Sequence, residues 1–342
     1  MHRGISSLRD LREWLSVSSG GFPEPRLFGE RVRDFLLSRP GAYDVVHDNQ
    51  SLCFGLLDLQ SHGIPVISTI HHPITRDLGF ALAKEERWGI RLLIRRWHSF
   101  LRMQKKVAPR LERIVTVSSA SQGDIARDLG VEKDRIQVVP NGVDTGVFRP
   151  RPEITPQPFR IMATASADVP IKGLDYLIRA VHLLRREFPQ IELRVLGKPK
   201  RDGNTQALIS KLGLQDSVSF CSGLTQEEIS REYAMSQLAA VPSLYEGFGL
   251  PAAEAMACGK PLVSTTGGAL PEIVGDAGEL VPTADSQALA SALGKLLRHP
   301  DYARRLGRRA RERIERHFTW ASAASGLEEV YFHLAEKRAF AG

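Results

Sequence analysis

Cysteine is scarce in this chain of 342 residues, which contains only Cys53, Cys221 and Cys258. The three lie far apart and lack the spacing of metal ligands, so we expect neither a disulfide framework nor a zinc site. Long apolar runs are missing too, since none approaches the roughly 18 residues that a membrane-spanning helix needs. The N-terminal stretch "MHRGISSLRDLREWLS" lacks the apolar centre of a secretory signal. These absences favour a cytoplasmic globular protein.

Acidic residues are nearly absent from one segment of a chain whose net charge is +7. Between residues 87 and 113 the single acid is Glu112. The cations of this segment are Arg87, Arg91, Arg95, Arg96, Arg102, Lys105, Lys106, Arg110 and Arg113. They are interleaved with apolar side chains, which predicts a basic amphipathic helix. Two interpretations stay open, a solvated face over a core stripe or a face that docks on anionic lipid. Because no nucleic-acid-binding module accompanies the segment, we expect no nucleic-acid partner.

Short β-branched runs alternate with longer amphipathic runs in the first half of the chain, as in a series of βαβ units. The predicted strands are 43–47, 65–70, 113–117 and 135–140. The predicted helices are 50–62, 84–110 and 119–130. The chain opens with a polar, helical segment instead of a strand. The pair Gly20 and Gly21 therefore follows no strand, and we interpret it as a turn and not as a phosphate loop.

The second half contains a longer series of the same kind. The predicted strands are 159–165, 191–197, 217–222, 238–243, 261–266 and 278–282. The predicted helices are 173–188, 204–213, 225–236, 251–258 and 285–298, with further helices from Asp301 onward. Six strands with intervening helices indicate a complete doubly wound sheet, which binds ligands outside the carboxyl ends of its strands. We predict domains at 1–145 and 159–318, a proline-rich linker at 146–158, and a C-terminal helix at 319–342 that returns toward the first domain.

The stretch "SLYEGFGLPAAEAMACGKPLVSTTGGALPEIVG", residues 243–275, concentrates the features of a ligand site. A glycine-containing turn follows Glu246, and Pro251 stands where the first turn of a helix favours proline. Backbone N–H groups from Leu250 to Ala253 at that helix start form a predicted anion site. Glu246 and Glu254 flank the same pocket, and carboxylates accept hydrogen bonds from pairs of sugar or ribose hydroxyls. Glu254 also has a structural explanation, since a carboxylate in a first helical turn complements the helix dipole.

Three more groups stand where predicted strands end. Lys172 begins a helix, where its ammonium and the helix amides can share a diphosphate, although a solvated lysine is the common alternative. Gly267 and Gly268 form a loop whose amides can face the same pocket. His71 and His72 follow a strand of the first half, where a structural hydrogen bond and a functional role are both open.

Four segments together carry a resemblance to a known family. They are "KGLDYLIRA", "VTVSSAS", "VVPNGVD" and "YEGFGLPAAEAMACGKPLVSTTGGALPEIVG", and the chain from about residue 43 to 332 resembles the retaining glycosyltransferases of family 4. The resemblance implies the α/β fold called GT-B, with two facing Rossmann-like domains built on parallel sheets. It implies that the C-terminal domain holds a nucleotide-sugar donor and that the N-terminal domain mainly holds the acceptor. The family's opening strand and Gly-rich loop are not found, so we expect an N-terminal domain that is incomplete at its start.

The resemblance also implies roles for individual residues. Glu246 contacts hydroxyls of the transferred sugar, Glu254 holds the ribose, and Lys172 binds the diphosphate. His71 matches the acceptor-side histidine of the family, with His72 as the open alternative on that side. The predicted catalytic residues are thus Glu246, Lys172 and His71, and the predicted donor-binding residues are Glu254, Gly247, Phe248, Gly249, Leu250, Gly267 and Gly268.

The reaction that we predict is transfer of a hexose from a nucleotide sugar to a sugar or lipid-linked acceptor, with an α-linked product. Cations and amides stabilise the charge on the departing diphosphate. No Asp-x-Asp motif occurs, so we expect neither a metal nor another cofactor. The resemblance implies retention by front-face substitution, in which the departing phosphate oxygen takes the acceptor proton, and not by the two carboxylates of a hydrolase.

Departures from the family leave two other functions open. The family's arginine five or six residues before Lys172 is missing, and Lys198, Lys200 and Arg201 are the candidates to replace its charge. Because of the missing N-terminal segment, the chain is alternatively an inactive or regulatory nucleotide-sugar-binding protein. A nucleotide-sugar epimerase of similar fold is the third possibility. For the enzyme, we expect a cytoplasmic location with docking at the inner face of the plasma membrane through residues 87–113.

Overall fold

The computed structural model describes residues 7–201 and 203–339, with side chains up to residue 334. The chain divides into two compact units. The first contains the residues up to Val139 and those from Ser325 onward, and the second is Pro140–Ala324. Each unit has a parallel sheet with helices around it.

The first unit is built on four parallel strands in the order β1-β2-β3-β4. The strands are β1 (Val46–Asn49), β2 (Val66–Ile70), β3 (Arg113–Thr116) and β4 (Ile136–Val138). The helices of this unit are α1 (Leu8–Ser18), α2 (Glu24–Leu37), α3 (Phe54–Ser61), α4 (Thr75–Lys84), α5 (Trp88–Trp97), α6 (Leu101–Val107) and α7 (Ser119–Leu129). Three 3-10 turns lie at His98–Phe100, Ala108–Arg110 and Lys133–Arg135. Every residue of β2 is buried, as expected for a central parallel strand that is covered on both faces.

The second unit is built on six parallel strands in the order β10-β9-β8-β5-β6-β7. The strands are β5 (Gln157–Thr164), β6 (Glu192–Leu196), β7 (Val218–Cys221), β8 (Ser236–Val241), β9 (Leu262–Thr265) and β10 (Glu279–Val281). The helices are α8 (Leu174–Leu184), α9 (Asn204–Lys211), α10 (Gln226–Met235), α11 (Leu250–Ala257), α12 (Leu270–Val274), α13 (Ser286–Arg298) and α14 (Pro300–His317), with a 3-10 turn at Pro170–Lys172. The order of the strands reverses between β5 and β8, which makes the carboxyl ends of these two strands the expected ligand position.

The last helix, α15 (Trp320–Ala339), begins in the second unit and continues in the first. In the first unit Val330 and Leu334 of α15 pack on Ile67 of β2 and Val115 of β3. The opposite face of the same sheet packs on apolar residues of α3, α6 and α7. The sheet of the first unit is therefore covered on both faces.

The structure confirms the predicted α/β architecture and the ten strands in the described residues, within a few positions at each end. The helix predicted over 84–110 begins later, at Trp88, and it is interrupted by 3-10 turns. The chain is extended at Glu85 and Arg87, because the backbone N–H and the guanidinium of Arg87 both donate to the Glu85 carboxylate. A 3-10 turn then separates α5 from α6. The core stripe that was one interpretation of this segment begins only at Phe100 and continues through α6, because α5 has no buried residue.

Candidate functional site

Two loops of the second unit meet at the carboxyl ends of β5 and β8. The 3-10 turn that carries Lys172 follows β5, and the loop that carries Glu246 follows β8. The Leu244 N–H donates to the Ile171 carbonyl at 2.8 Å, which joins the two loops. Gly173, at φ +62°, permits this approach, since a Cβ there would lie 2.0 Å from the Pro242 carbonyl oxygen. The glycine in "KGLDYLIRA" is thus required by the packing of the site.

Lys172 and Glu246 form an ion pair at this meeting point. Lys172 Nζ donates to Glu246 Oε1 at 2.8 Å, and the Ser243 hydroxyl donates to the same oxygen at 2.7 Å. The Glu246 side chain is 11% exposed and the Lys172 side chain is 29% exposed. Glu246 is thus buried and Lys172 is partly exposed, so the pair is open to solvent mainly on the side of the lysine. Sequence reasoning named both residues for the donor but not their contact with each other.

The predicted glycine loop after β9 lies directly against the Glu246 loop. Gly268 has φ +61°, and a Cβ on it would lie 2.2 Å from the Glu246 carbonyl oxygen. A Cβ on Gly267 would lie 2.7 Å from the carbonyl carbon and oxygen of Leu244. The Ala269 N–H donates to the Glu246 carbonyl at 2.9 Å. Gly267 and Gly268 therefore hold the Glu246 backbone in place.

The start of α11 corrects the predicted anion site at Leu250–Ala253. Pro251 has no N–H, and the N–H groups of Ala252 and Ala253 both donate to the Gly249 carbonyl. The Leu250 amide is the remaining donor of that predicted set. Gly249, at φ +107°, is the residue that precedes the helix and turns the chain into it. Phe248 is buried and its ring contacts Phe318 edge to face at 5.9 Å, so that the turn rests on the second unit's own core.

Glu254 is half-buried, and no side chain or backbone group of the described residues donates a hydrogen bond to its carboxylate. Burial raises the pKa of Glu254 from 4.5 to about 7. Glu254 is the fifth residue of α11, beyond the first turn, and its pKa moves opposite to the direction in which a helix dipole would shift it. The structural explanation of Glu254 is therefore wrong. A half-buried acceptor that lacks donors within the chain is suited to a ligand that supplies hydroxyl groups.

His71 lies at the carboxyl end of β2 in the first unit. Its Nε2 lies 2.8 Å from Asn49 Oδ1, and its backbone N–H donates to Gln50 Oε1 at 2.8 Å. The pKa of His71 is below its ordinary value, first because of burial and then because of His72 and His47. An Nε2–H that donates to Asn49 leaves Nδ1 of a neutral ring as an acceptor. His72 differs, since its Nε2 lies 2.8 Å from Asp77 Oδ2.

The loop that supports His71 has an unusual backbone. Gln50 and Leu52 have φ of 64° and 49°, values that side-chain-bearing residues rarely adopt. The buried Asp48 carboxylate holds them there, because it accepts the N–H groups of Ser51 and Leu52 at 3.2 Å. Such strain is concentrated at functional sites. Sequence reasoning missed this loop, although its signal was the polar run "HDNQS" at the end of a strand.

The candidates for the missing positive charge lie after β6. Lys198, Lys200 and Arg201 are all exposed, and none forms an ion pair with another described residue. The N–H groups of Lys200 and Thr205 donate to the Asp168 carboxylate at 3.0 Å. Burial acts to raise the Asp168 pKa, but these hydrogen bonds keep it below its ordinary value. The bonds fix the backbone from which the three cations extend.

Metal ligands and membrane-spanning helices are both missing from the described residues. No group of three or more His, Cys, Asp or Glu side chains in 7–201 and 203–339 is placed to hold a metal ion. In the same part of the chain, no helix combines the length and the apolar character that crossing a bilayer requires.

Comparison with known proteins gives the family. A family model described as "Glycosyltransferase Family 4" matches residues 7–147, and one described as "Glycosyl transferases group 1" matches residues 150–313. The MMP α-(1→4)-mannosyltransferase of Mycolicibacterium hassiacum is 46% identical over 330 residues, which cover 96% of this chain and 79% of that protein.

Solved structures agree on the fold. Sucrose-phosphate synthase from Thermosynechococcus elongatus superposes with a TM-score of 0.74 at 25% identity, over 90% of this chain and 77% of that one. Anabaena Alr3699/HepE in complex with UDP gives a TM-score of 0.72 at 20% identity, over 88% of this chain and 81% of that one. The two alternative functions, an inactive nucleotide-sugar-binding protein and a nucleotide-sugar epimerase, are not favoured by the similarity to named glycosyltransferases. The chain belongs to glycosyltransferase family 4 and is a retaining glycosyltransferase of the GT-B fold that transfers a sugar to an acceptor.

Proposed function

We propose that this enzyme transfers a mannosyl group from a nucleoside diphosphate sugar to a sugar-containing acceptor and forms an α-(1→4) bond. The sugar and the linkage come from the relative that is 46% identical, whose name states both. The nucleotide form of the donor is supported by the fold neighbour that binds UDP. The observation that carries the proposal is the grouping of Lys172, Glu246 and Glu254 beside the strand reversal of the second unit.

The donor is held by the second unit. Glu254 accepts hydrogen bonds from two ribose hydroxyls, which supply the donors that its half-buried carboxylate lacks among the described residues. Glu246 accepts from hydroxyls of the sugar through Oε2, because Oε1 already accepts from Lys172 and Ser243. Lys172 lies beside Glu246 and places its positive charge on the diphosphate, where negative charge grows as the glycosidic bond breaks. The Phe248, Gly249 and Leu250 amides add donors on the phosphate side.

The acceptor is held by the first unit. His71 is neutral at physiological pH, since burial lowers its pKa, and its Nδ1 can accept a hydrogen bond from the attacking hydroxyl. Asn49 and Gln50 orient the ring and its backbone. The acceptor proton passes to the departing phosphate oxygen, so the reaction needs no separate base, and Lys172 stabilises that oxygen.

The enzyme docks on anionic lipid through α5. Four large apolar side chains of this helix are exposed, at 77% for Trp88, 53% for Leu92, 53% for Leu93 and 43% for Trp97. A core stripe would be buried, so the solvated-helix interpretation does not account for them. Arginines flank the apolar side chains along the same helix. Exposed tryptophan and leucine together with arginine are the composition of helices that lie in a membrane interface.

Product analysis tests the transfer. The full chain is incubated with a panel of nucleoside diphosphate mannoses and glucoses and with mannose-containing oligosaccharide acceptors, and the linkage is assigned by NMR spectroscopy. We expect an α-(1→4)-mannosyl product, which Glu246→Gln reduces strongly and the exposed control Glu153→Gln leaves unchanged. A β-linked product would contradict retention. Transfer of glucose in preference to mannose would contradict the proposed donor alone.

A further inference from the structure

A cavity of about 410 Å³ lies in the first unit, and none of the residues assigned to sugar transfer lines it. Its walls come from α1, from the turn that follows it, from α2 and α3, and from α5, α6 and the 3-10 turn between them. The floor is apolar. Leu27, Phe100 and Met103 are buried beneath it, and Phe22 and Phe54 complete the lining. The volume falls within the range of small-molecule sites.

The rim of the cavity carries an excess of positive charge. The charged side chains that line it are Arg12, Arg26, Arg96, Arg102, Lys106 and Glu30, five cations against one acid, for a net charge of +4. Arg26 is neutralised by Glu30, at 3.2 Å. Arg96 donates to serine hydroxyls, including that of Ser19 at 2.7 Å. The remaining three cations, Arg12, Arg102 and Lys106, form no ion pair with any described residue.

An apolar floor under unpaired cations selects for one class of ligand. Arg12, Arg102 and Lys106 are exposed, and cations grouped at the mouth of an apolar cleft attract an anion. A small inorganic anion would neutralise the rim and leave the floor exposed to water. A neutral apolar molecule would cover the floor and leave the rim unpaired. A molecule with a phosphate head and an attached hydrocarbon chain satisfies both parts of the cavity.

The cavity opens beside the exposed face of α5. Phe22, which lines the cavity, stacks on Trp97 with ring centroids 5.0 Å apart. Trp97 is one of the exposed apolar side chains of α5, and Arg96 of the same helix lies on the rim. A lipid at the membrane surface would therefore reach the cavity across the face proposed to dock there.

We propose that this cavity binds one anionic phospholipid, with its phosphate among Arg12, Arg102 and Lys106 and the first part of an acyl chain on the floor formed by Phe22, Phe100 and Met103. The proposal relies on the proposed membrane face only for the source of the lipid. All residues of the proposed site belong to the first unit. It gives the enzyme recognition of a headgroup in addition to general attraction to a charged surface.

Titration with monomeric lipid tests the site without vesicles, donor or acceptor. The full chain is titrated calorimetrically with a short-chain phosphatidic acid below its micellar concentration, with the matching phosphatidylcholine, and with inorganic phosphate. We expect saturable binding of one phosphatidic acid per chain, and binding of the other two ligands at least tenfold weaker. Equal binding of inorganic phosphate would overturn the proposal in favour of a free-anion site. Equal binding of phosphatidylcholine would overturn the role of the charged rim.

Three variants distinguish binding inside the cavity from attraction to the charge around it. Arg102→Glu with Lys106→Glu reverses two rim charges and is expected to weaken phosphatidic acid binding at least tenfold. Ser16→Trp fills the cavity, keeps the net charge, and is expected to weaken binding to a similar degree. The control Lys84→Glu with Lys133→Glu changes two exposed lysines outside the lining by the same total charge. An equal effect of the control, or no effect of Ser16→Trp, would show that binding depends on surface charge alone and would overturn the proposal. Each variant's melting temperature is checked against that of the wild type.

Discussion

The raised pKa of Glu254 predicts that its replacement by glutamine makes the protein more stable and less able to bind its donor. Burial raises the pKa from 4.5 to about 7, so the ionised form is disfavoured in the folded chain. The difference corresponds to about 3 kcal/mol in the free energy of unfolding. Glutamine has the shape of the protonated carboxyl group and carries no charge at any pH. Glu254→Gln should therefore raise the free energy of unfolding by up to about 3 kcal/mol at pH 8.

The increase in the free energy of unfolding caused by Glu254→Gln should itself increase with pH. A carboxyl group whose pKa is higher in the folded state than in the unfolded state binds its proton more tightly when folded. The protonated Glu254 side chain therefore makes its full contribution to the free energy of unfolding of the wild type below about pH 4.5. This contribution is lost as the pH rises to about 7. The difference between Glu254→Gln and the wild type should be near zero at pH 4.5 and largest above pH 7.

Urea unfolding of both chains, followed by circular dichroism from pH 4.5 to 8.5, measures the difference. The exposed control Glu153→Gln should stay within about 0.5 kcal/mol of the wild type throughout. Calorimetry at pH 8 should show nucleoside diphosphate binding to Glu254→Gln about 30-fold to 100-fold weaker, since hydrogen bonds to a charged acceptor contribute about 2–3 kcal/mol. A variant that is equally stable at every pH, or that binds the nucleotide as tightly as the wild type, would refute the reasoning.

Three other predictions follow from the geometry. Gly173→Ala should lower the free energy of unfolding by about 2–4 kcal/mol, because its Cβ would lie 2.0 Å from the Pro242 carbonyl oxygen. An unchanged urea midpoint would show that the close packing of the two loops does not require glycine at this position. Gln50→Ala should raise the pKa of His71 toward its ordinary value, because the ring becomes more accessible to water. NMR titration measures this pKa. An unchanged pKa together with an unchanged kcat/KM would show that Gln50 does not position His71. Trp88→Glu with Leu92→Glu should abolish co-sedimentation with anionic vesicles, whereas Glu132→Gln should not; full retention by the double variant would remove α5 from the membrane face.

Much of the fold could be predicted because period and length identify buried parallel strands without knowledge of their partners. The strand β2 is a run of apolar and β-branched residues between breakers, and every one of its residues is buried. The order of the strands is not encoded in such runs. Only the folded chain shows that the order reverses between β5 and β8, which is where a doubly wound sheet is expected to bind its ligand. The break before α5 was missed because it depends on side-chain hydrogen bonds of Arg87 to Glu85, which leave the amphipathic pattern intact.

The candidate site was predictable in its residue types and less so in its contacts. The Lys172–Glu246 pair joins residues 74 positions apart, and it depends on the close approach at Gly173 that only the folded chain shows. The sequence has no glycine at the strained backbone of Gln50 and Leu52 that would have indicated a positive φ. Hydrogen bonds to the buried Asp48 carboxylate impose this conformation. The predicted anion site was wrong in part because the carbonyl of Gly249, just before the helix, already accepts from the amides of Ala252 and Ala253.

Single-turnover transfer by Glu246→Gln tests most directly the claim that this second-unit carboxylate acts on the sugar of the bound donor. With donor in excess of its dissociation constant, the account predicts that the rate of product formation falls about 100-fold to 1,000-fold, because a charged acceptor of sugar hydroxyls is lost. Nucleoside diphosphate affinity should fall much less, because Glu254 and Lys172 remain. A single-turnover rate equal to that of the wild type would contradict the account.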